Sequence, residues 1–565
     1  MNALLQTRPS AQAQARPDQT AVVWKNTGTS YGELERWSNR LAQFLVTAGC
    51  RRGDRIGLLM PKTPAAIIGI LGTLKAGAAY VPLDPSDPGA RLARTLESAD
   101  CRWILAAGRV GQRLDEALAA ARLKRKPLIG WLDDGAAPDA DLQVLFTRPD
   151  LDAFLDSAPA VHIGAQDLAQ ILFTSGSTGT PKGVMITHAS ILHLISWAER
   201  YFGTVRSDRI AQQAPLRFDL STMDVFGALS SGASLWLVPP ELSVLPTKLA
   251  DFVRDSELTQ WLLVPSLLNL MAKFDVVRHG DFPALRRIMF AGEVLPTPTL
   301  IYWMSRLPHV QFTNLYGPTE TTICSSYYSV PQCPADECAP IPIGTACEGE
   351  ELLVLDERGQ PAVDGEVGEL CIGGPGLSPG YWNAPERTRS AFISLGNGTH
   401  ATKRLYKTGD RARRGADGLY YFCGRADMQI KSRGYRIELG EIEAALHTLP
   451  ELRESAVVAI DSGGFEGSLI CCAYAPVADA GMSPQNLRRR LAGLVPHFML
   501  PAHWQQYEVL PKNANGKLDR FRLRREFSES LALQDDSTAA DLSQSAEGLR
   551  PGPRRSGSER GLSIE

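Results

Sequence analysis

Between Ala169 and Tyr201 the chain passes from an apolar run, Ala169-Gln-Ile-Leu-Phe-Thr174, through a stretch of small residues into a helical repeat. The run has the length and composition of a buried strand, and beyond the small residues Ile191, Leu194, Ile195, Ala198 and Tyr201 recur at helical spacing. A strand that feeds an amphipathic helix needs a sheet with helices packed on it. The same alternation continues through most of the chain, so the predicted class is α/β. The connecting stretch reads Thr174-Ser-Gly-Ser-Thr-Gly-Thr-Pro-Lys182-Gly183. Its hydroxyl residues Thr174, Ser175, Ser177 and Thr178, interleaved with Gly176 and Gly179, can turn several N–H and O–H groups towards one anion. Lys182 adds a positive charge at the far end. The pattern departs from G-x-x-x-x-G-K-[ST], because Gly179 is followed by Thr-Pro-Lys-Gly, so a P-loop nucleotidase is not supported. A flexible Gly/Ser linker is the bland alternative, and the apolar flanks argue against it.

A chain of 565 residues is too long for one core and predicts at least two domains. Apolar residues at 44%, charged residues at 21% and a net charge of -3 describe an ordinary soluble protein. They give no reason to expect nucleic acid or an anionic membrane as partner. The N-terminal residues lack the apolar core of a signal peptide, and no stretch reaches transmembrane length, so a cytoplasmic location is expected. The 10 cysteines form no C-x-x-C pair. Cys333 and Cys338 lack a second pair to complete a metal site, and Cys471 and Cys472 lie in an apolar run and read as strand residues.

Towards the end, Leu439 to His447 reads as a short helix with Ile442, Ala445 and Leu446 on one face. Ser455 to Ile460 and Ser468 to Ala475 read as strands, and Ser483-Pro484 opens a helix through Val495. This pattern predicts a small α+β domain. Asp535 to Glu565, rich in Ser, Gly, Arg, Asp and Glu, reads as a disordered tail, and Asp133 to Asp139 as a surface loop.

The glycine-bearing loop is followed, in order, by Asn314-Leu-Tyr-Gly-Pro-Thr-Glu320, Tyr406-Lys-Thr-Gly-Asp410 and Gly424-Arg425-Ala-Asp427. Lys431-Ser-Arg-Gly-Tyr-Arg-Ile-Glu-Leu-Gly-Glu441 and Asn515-Gly516-Lys517-Leu-Asp-Arg520 come next. From Tyr31 to Leu523 the chain resembles the adenylate-forming superfamily of acyl-CoA synthetases, luciferases and the adenylation domains of nonribosomal peptide synthesis. The resemblance implies a large N-terminal adenylation domain of packed sheets and helices, residues 1–426. It implies a mobile C-terminal domain carrying a catalytic lysine, residues 427–530, with the tail at 531–565. The reaction it implies joins a carboxylate to the α-phosphate of ATP and expels pyrophosphate. A carboxylate is already a nucleophile, so the task is to bring anions together and neutralise their charge.

By resemblance, the Thr174 to Gly183 loop, with Lys182, holds the departing phosphates, and Lys517 reaches the substrate carboxylate and α-phosphate. Glu320 resembles a Mg²⁺-binding acid, which suits a hard cation. Tyr316 would stack on adenine, with Asn314 and Gly292 at its edge and Gly317 and Thr319 in the same turn. Asp410 would take the ribose hydroxyls, assisted by Arg425, and Asp427 would be the hinge of the small domain. Read without the resemblance, Lys182 and Lys517 are surface lysines, Glu320 caps a helix starting near Thr319, and Asp427 is a turn acid. Gly434, Arg436 and Glu438 read equally as lining for a thiol tunnel or as support for the domain interface.

Phe218-Asp219-Leu-Ser221 narrows the substrate. In amino-acid-activating members an aspartate at this position pairs with the α-amino group, whereas a helix N-cap is the plain alternative. An unpaired buried carboxylate would be costly in members that activate other acids. Around it Leu220, Met223, Leu262, Met289, Ala291, Leu315, Ile323 and Cys324 form an uncharged set, which predicts an apolar amino acid of modest size. With Asp219 and without Leu262, whose stretch has no strong anchor, the set is similar to that of stand-alone prolyl ligases, and L-proline is the expected substrate, with leucine, isoleucine or valine fitting nearly as well on shape alone. No carrier domain follows Lys517, so the phosphopantetheine thiol is expected from a free-standing peptidyl carrier protein. An acyl-CoA or aryl-CoA ligase and a catalytically silent nucleotide-binding homologue are the alternatives.

Overall fold

The computed structural model describes residues 4–133, 140, 142–176, 181–396, 402–461, 468–477, 483–513 and 518–531. Two large mixed sheets dominate. A 9-stranded sheet has Gln311–Tyr316, Arg287–Ala291, Gln260–Leu263, Arg209–Gln212, Ser234–Leu237 and Thr20–Trp24 as successive parallel neighbours. A 7-stranded sheet is parallel from Val144–Thr147 to Leu168–Thr174 and closes on the antiparallel Lys182–Thr187. Parallel strands covered on both faces carry near-continuous apolar residues, as Trp-Ile-Leu-Ala at 103–106 does. Leu41, Ile67, Leu71, Ile195, Phe226 and Leu229, from the helices Tyr31–Thr47, Pro64–Lys75, His188–Phe202 and Leu220–Ser231, join residues of both sheets in one buried cluster. The α/β expectation therefore holds.

A third, 5-stranded antiparallel sheet is centred on Lys403–Arg414 and ends with Tyr420–Arg425. After Ala426 the chain builds a hairpin, Gln429–Ser432 with Tyr435–Glu438, and the helix Leu439–Leu446. A 3-stranded sheet follows, with Leu452–Asp461, Ser468–Pro476 and His503–Gln506. Both strands read from the sequence are present and longer than expected, with Cys471 and Cys472 buried inside the second. The helix opened by Ser483 has the expected cap but ends at Leu491, short of Val495, where turns take over. Residues 134–139 of the surface loop and 532–565 of the tail lie outside the described residues. No helix among the described residues is long and apolar enough to cross a membrane.

One expectation is corrected. The glycine-bearing loop does not lead from strand to helix; it joins two antiparallel strands. Lys182–Thr187 is a short strand, and Thr187 ends it by accepting the N–H of Ser190 as the helix cap. Gly183 lies opposite Phe173, where a Cβ would come within 2.9 Å of the Phe173 ring and of Ile171, so a larger residue there would have to push those side chains aside.

Candidate active site

The hairpin returns Lys182 to the position opposite Thr174, at the end of the 7-stranded sheet. Thr174 Oγ1 is buried without a partner. Ser175 Oγ donates to the Arg436 carbonyl at 2.7 Å. Ser177, Thr178 and Gly179 lie outside the described residues. Burial pushes the Lys182 ammonium down, as does Arg436 nearby, while Glu320 raises it. Its nitrogen lies 3.3 Å from Glu320 Oε1 and 5.3 Å from the centre of the Tyr381 ring.

Glu320 comes from the short turn Thr319–Thr321 that follows strand Gln311–Tyr316. Gly317 makes this turn possible, since a Cβ there would stand 2.6 Å from Cys324 Cα. Thr322 and Ile323 both take left-handed φ, at 60° and 72°, which is strained for β-branched residues and typical of functional turns. Glu320 is fully buried. Tyr381 Oη donates to Oε1 at 2.8 Å and Arg436 Nη1 to Oε2 at 2.7 Å. Burial opposes its charge, but Arg436 and Lys182 outweigh that and hold the carboxyl well below the usual range. It therefore does not act as a helix cap; it is an ionised acid between two cations. A buried, ionised carboxylate suits a hard cation that also takes phosphate oxygens, and the Thr174 hydroxyl, opposite Lys182 in the hairpin register, is buried without a partner. No group of three or more His, Cys, Asp or Glu among the described residues offers a complete metal cage.

Across the cavity, Tyr316 Oη donates to Asp410 Oδ2 at 2.5 Å, and Arg425 pairs with the other Asp410 oxygen. The Arg425 guanidinium also forks onto Asp427, Nε and Nη2 each at 2.7 Å. Lys431 Nζ stands 5.5 Å from the centre of the Tyr316 ring, and Asn314 Nδ2 donates to the Pro342 carbonyl at 2.8 Å. Thr174, Ser175, Asp219, Gly292, Gly317, Thr319, Asp410 and Arg425 all face one cavity of about 120 Å³. Lys182, Asn314, Tyr316 and Glu320 are not among the residues that line it, and Lys517 is outside the described residues.

Asp219 stands at the N-terminus of helix Leu220–Ser231, yet its side chain makes no cap bond. Its Oδ2 instead accepts from Thr319 Oγ1 at 2.7 Å. The carboxyl is partly exposed, onto the cavity, and surrounding protein pushes it up to about 6. The parallel register sets Leu262 beside Met289 and Ala291 beside Leu315. These four, with Leu220, Met223, Ile323 and Cys324, belong to one large buried cluster; none of the eight lines the cavity that Asp219 faces, and Leu220 lines the larger cleft beside it.

Several groups went unread in the sequence. Beside Arg436, which the sequence offers as tunnel lining or interface support, the small domain closes the cavity with Gln429, Lys431, Tyr435 and Phe498. Arg217 pairs with Asp84 and Asp87 and lies against the stacked rings of Tyr435 and Phe498. Arg91 pairs with Glu441 across the domains, both almost fully buried. Such long-range partners leave no local pattern. A second cleft of about 800 Å³, lined largely by apolar residues such as Leu263, Val264, Leu267 and Phe274, meets the first at Phe218, Gly434, Tyr435 and Phe498.

Residues 10–382 match the AMP-binding enzyme family, and residues 441–517 match the AMP-binding enzyme C-terminal domain. The chain is 36% identical over 94% of its length to tyrocidine synthase 3 of Brevibacillus parabrevis, but spans only 8% of that protein. It is 34% identical over 90% of its length to an L-proline--[L-prolyl-carrier protein] ligase of Pseudomonas fluorescens, of which it spans 96%. Among solved structures, the Vibrio cholerae adenylation domain AlmE in complex with glycyl-adenosine-5'-phosphate superposes with a TM-score of 0.79 at 27% identity. That match covers 94% of this chain and 98% of the other.

Proposed function

The chain belongs to the AMP-binding enzyme family, and from that premise we propose that it activates an apolar L-amino acid, L-proline by preference, as an aminoacyl adenylate. It then passes the aminoacyl group to the phosphopantetheine thiol of a separate carrier protein. The observation that carries this reading is Asp219, a carboxylate open to the cavity, and the uncharged set supports it by lying together with Leu220 in one buried cluster. A substrate ammonium supplies the charge that this acid lacks, and an apolar side chain leaves no polar group unpaired.

In the first step the substrate carboxylate attacks the α-phosphorus of ATP, a C–O–P link forms, and the bond to pyrophosphate breaks. The hairpin loop and Lys182 hold the leaving phosphates. Asp410, braced by Arg425, takes the ribose hydroxyls, and Tyr316 with Asn314 and Gly292 takes adenine. Glu320 would hold Mg²⁺ jointly with the phosphates, and the ion would spread the charge that builds on them. Lys517, carried by the small domain, bridges carboxylate and α-phosphate. Residues 427–530 then turn about Asp427, and the thiol reaches the adenylate through the larger cleft past Gly434 and Arg436. The thiol displaces AMP and forms a thioester. Proline is favoured by the pocket and by the name of a relative covered almost end to end; a cytoplasmic setting fits ATP and carrier as partners.

Substrate-dependent exchange of pyrophosphate into ATP, run over all common amino acids and their desamino analogues, tests the proposal. Exchange is expected with apolar amino acids, proline among the best. Preference for desamino acids would reject the Asp219 assignment in favour of an acyl-CoA or aryl-CoA ligase. Exchange led by other amino acids would reject proline alone.

A further inference from the structure

The turn after Glu320 passes through Thr322 and Ile323, both in left-handed backbone, into Cys324. Such strain persists only where surrounding contacts over-determine it, and here the contacts close a ring. Thr322 Oγ1 donates to the Gly376 carbonyl at 2.6 Å, and the Gly376 N–H donates to Glu350 Oε1 at 2.8 Å. The Glu350 N–H donates to the Cys347 carbonyl at 2.9 Å, and the Cys347 N–H to the Ser325 carbonyl at 2.8 Å, one residue past Cys324. Glycines leave the carboxylate its space: a Cβ would stand 2.6 Å from Oε2 at Gly374 and 2.8 Å from Oε1 at Gly376. The acid that closes this ring is buried at a cost. Its side chain is 3% exposed, Oε2 has no partner, and burial pushes the carboxyl up to about 7. His193 Nε2 stands 3.4 Å from Oε1 but makes no hydrogen bond to it. An apolar side chain of the same length would fill this space without that cost, so stability alone does not account for an acid here.

We propose that Glu350 is a positioning residue for amino-acid binding: by holding Gly376, and through it Thr322, it sets where Ile323 and Cys324 stand in the apolar set. This rests on the substrate reading above. Glu350 lines neither of the two clefts described, so it acts through the ring and not by touching the substrate.

Pyrophosphate exchange by the full chain tests this, with ATP and proline (or whichever amino acid leads exchange in the parent protein) varied in turn. Glu350→Met removes the acceptor and fills its space, and Thr322→Val breaks the ring on the other side of Gly376. Each is expected to raise the KM for the amino acid about tenfold, with that for ATP within about twofold of the parent's. The double variant should match the single ones, at about tenfold rather than a hundredfold, because a ring already opened loses nothing more. Glu350→Gln keeps an acceptor for Gly376 and is expected within about threefold of the parent. Folding of each variant is read from its thermal transition. An unchanged amino-acid KM in either folded single variant, a joint rise of both KM values, or additive effects in the double variant would overturn the proposal. Absence of exchange with every amino acid in the parent protein would instead overturn the function proposed above.

Discussion

Asp219 is a carboxylate kept from its usual solvation, with a single hydroxyl donor, Thr319, as side-chain partner. Its pKa, pushed up to about 6 against an ordinary 3.8, has a definite sign in both stability and binding. The folded chain holds this proton more tightly than the unfolded one, so ionising Asp219 as pH rises from about 4 to 6 works against the fold. A bound ammonium reverses that by pairing with the ionised form. The KM for the amino acid is therefore expected to be flat above pH 7 and to rise about tenfold per unit below pH 6, while the KM for ATP does not follow it. Asp219→Asn keeps the shape and removes the charge. Amino-acid-dependent exchange should fall by about a hundredfold or more, with a Tm at pH 7 equal to or above the parent's. A flat pH profile for the amino acid, or exchange that survives in Asp219→Asn, would remove Asp219 from the substrate site.

The strands Gln260–Leu263, Arg287–Ala291 and Gln311–Tyr316 act together, because parallel register turns their positions into one wall. Ala291 is the smallest residue of the apolar set, buried and paired with Leu315. Ala291→Leu is expected to lower exchange with proline about tenfold or more relative to glycine or alanine, and to cost about 1–3 kcal/mol of stability by overpacking, read by denaturant titration. The stretches around Asp219, Gly292 and Tyr316 were legible in sequence because each lies beside a motif that anchors it, whereas the stretch of Leu262 has no such anchor. The C-terminal strands were legible from their apolar runs. The second strand of the loop hairpin was not, because Lys182–Thr187 is short and runs straight into a helix whose repeat dominates the pattern. Nor were the partners of Glu320: Arg436 is 116 residues away, and an ion pair at that distance imprints nothing on local spacing. Glu320 and Asp219 each had a plausible reading as a helix cap, and only the fold shows both side chains turned to other partners.

At the scale of the molecule, the two parts of the chain meet through charge and aromatic contacts rather than a continuous apolar core. Arg91 with Glu441, Arg436 with Glu320, and Arg217 against Tyr435 and Phe498 all cross between them. Buried ion pairs add little net stability over apolar contacts but specify one arrangement, and water can replace them when the surfaces part. Such an interface suits a domain that changes orientation, and Asp427 lies where the chain leaves the last strand of the third sheet. Proline there would fix φ near −65° and remove the carboxylate that Arg425 grips. Asp427→Ala removes the same carboxylate but leaves the backbone free, and so separates the two effects. Asp427→Pro is expected to slow thioester formation with the carrier about a hundredfold while exchange stays within about threefold, since one orientation is still reached. Asp427→Ala should stay near the parent in both, with single-turnover transfer to the carrier and pyrophosphate exchange as the two assays. Equal loss of both half-reactions in Asp427→Pro, or the same selective loss in Asp427→Ala, would place the pivot elsewhere and leave Asp427 as a partner of Arg425 only.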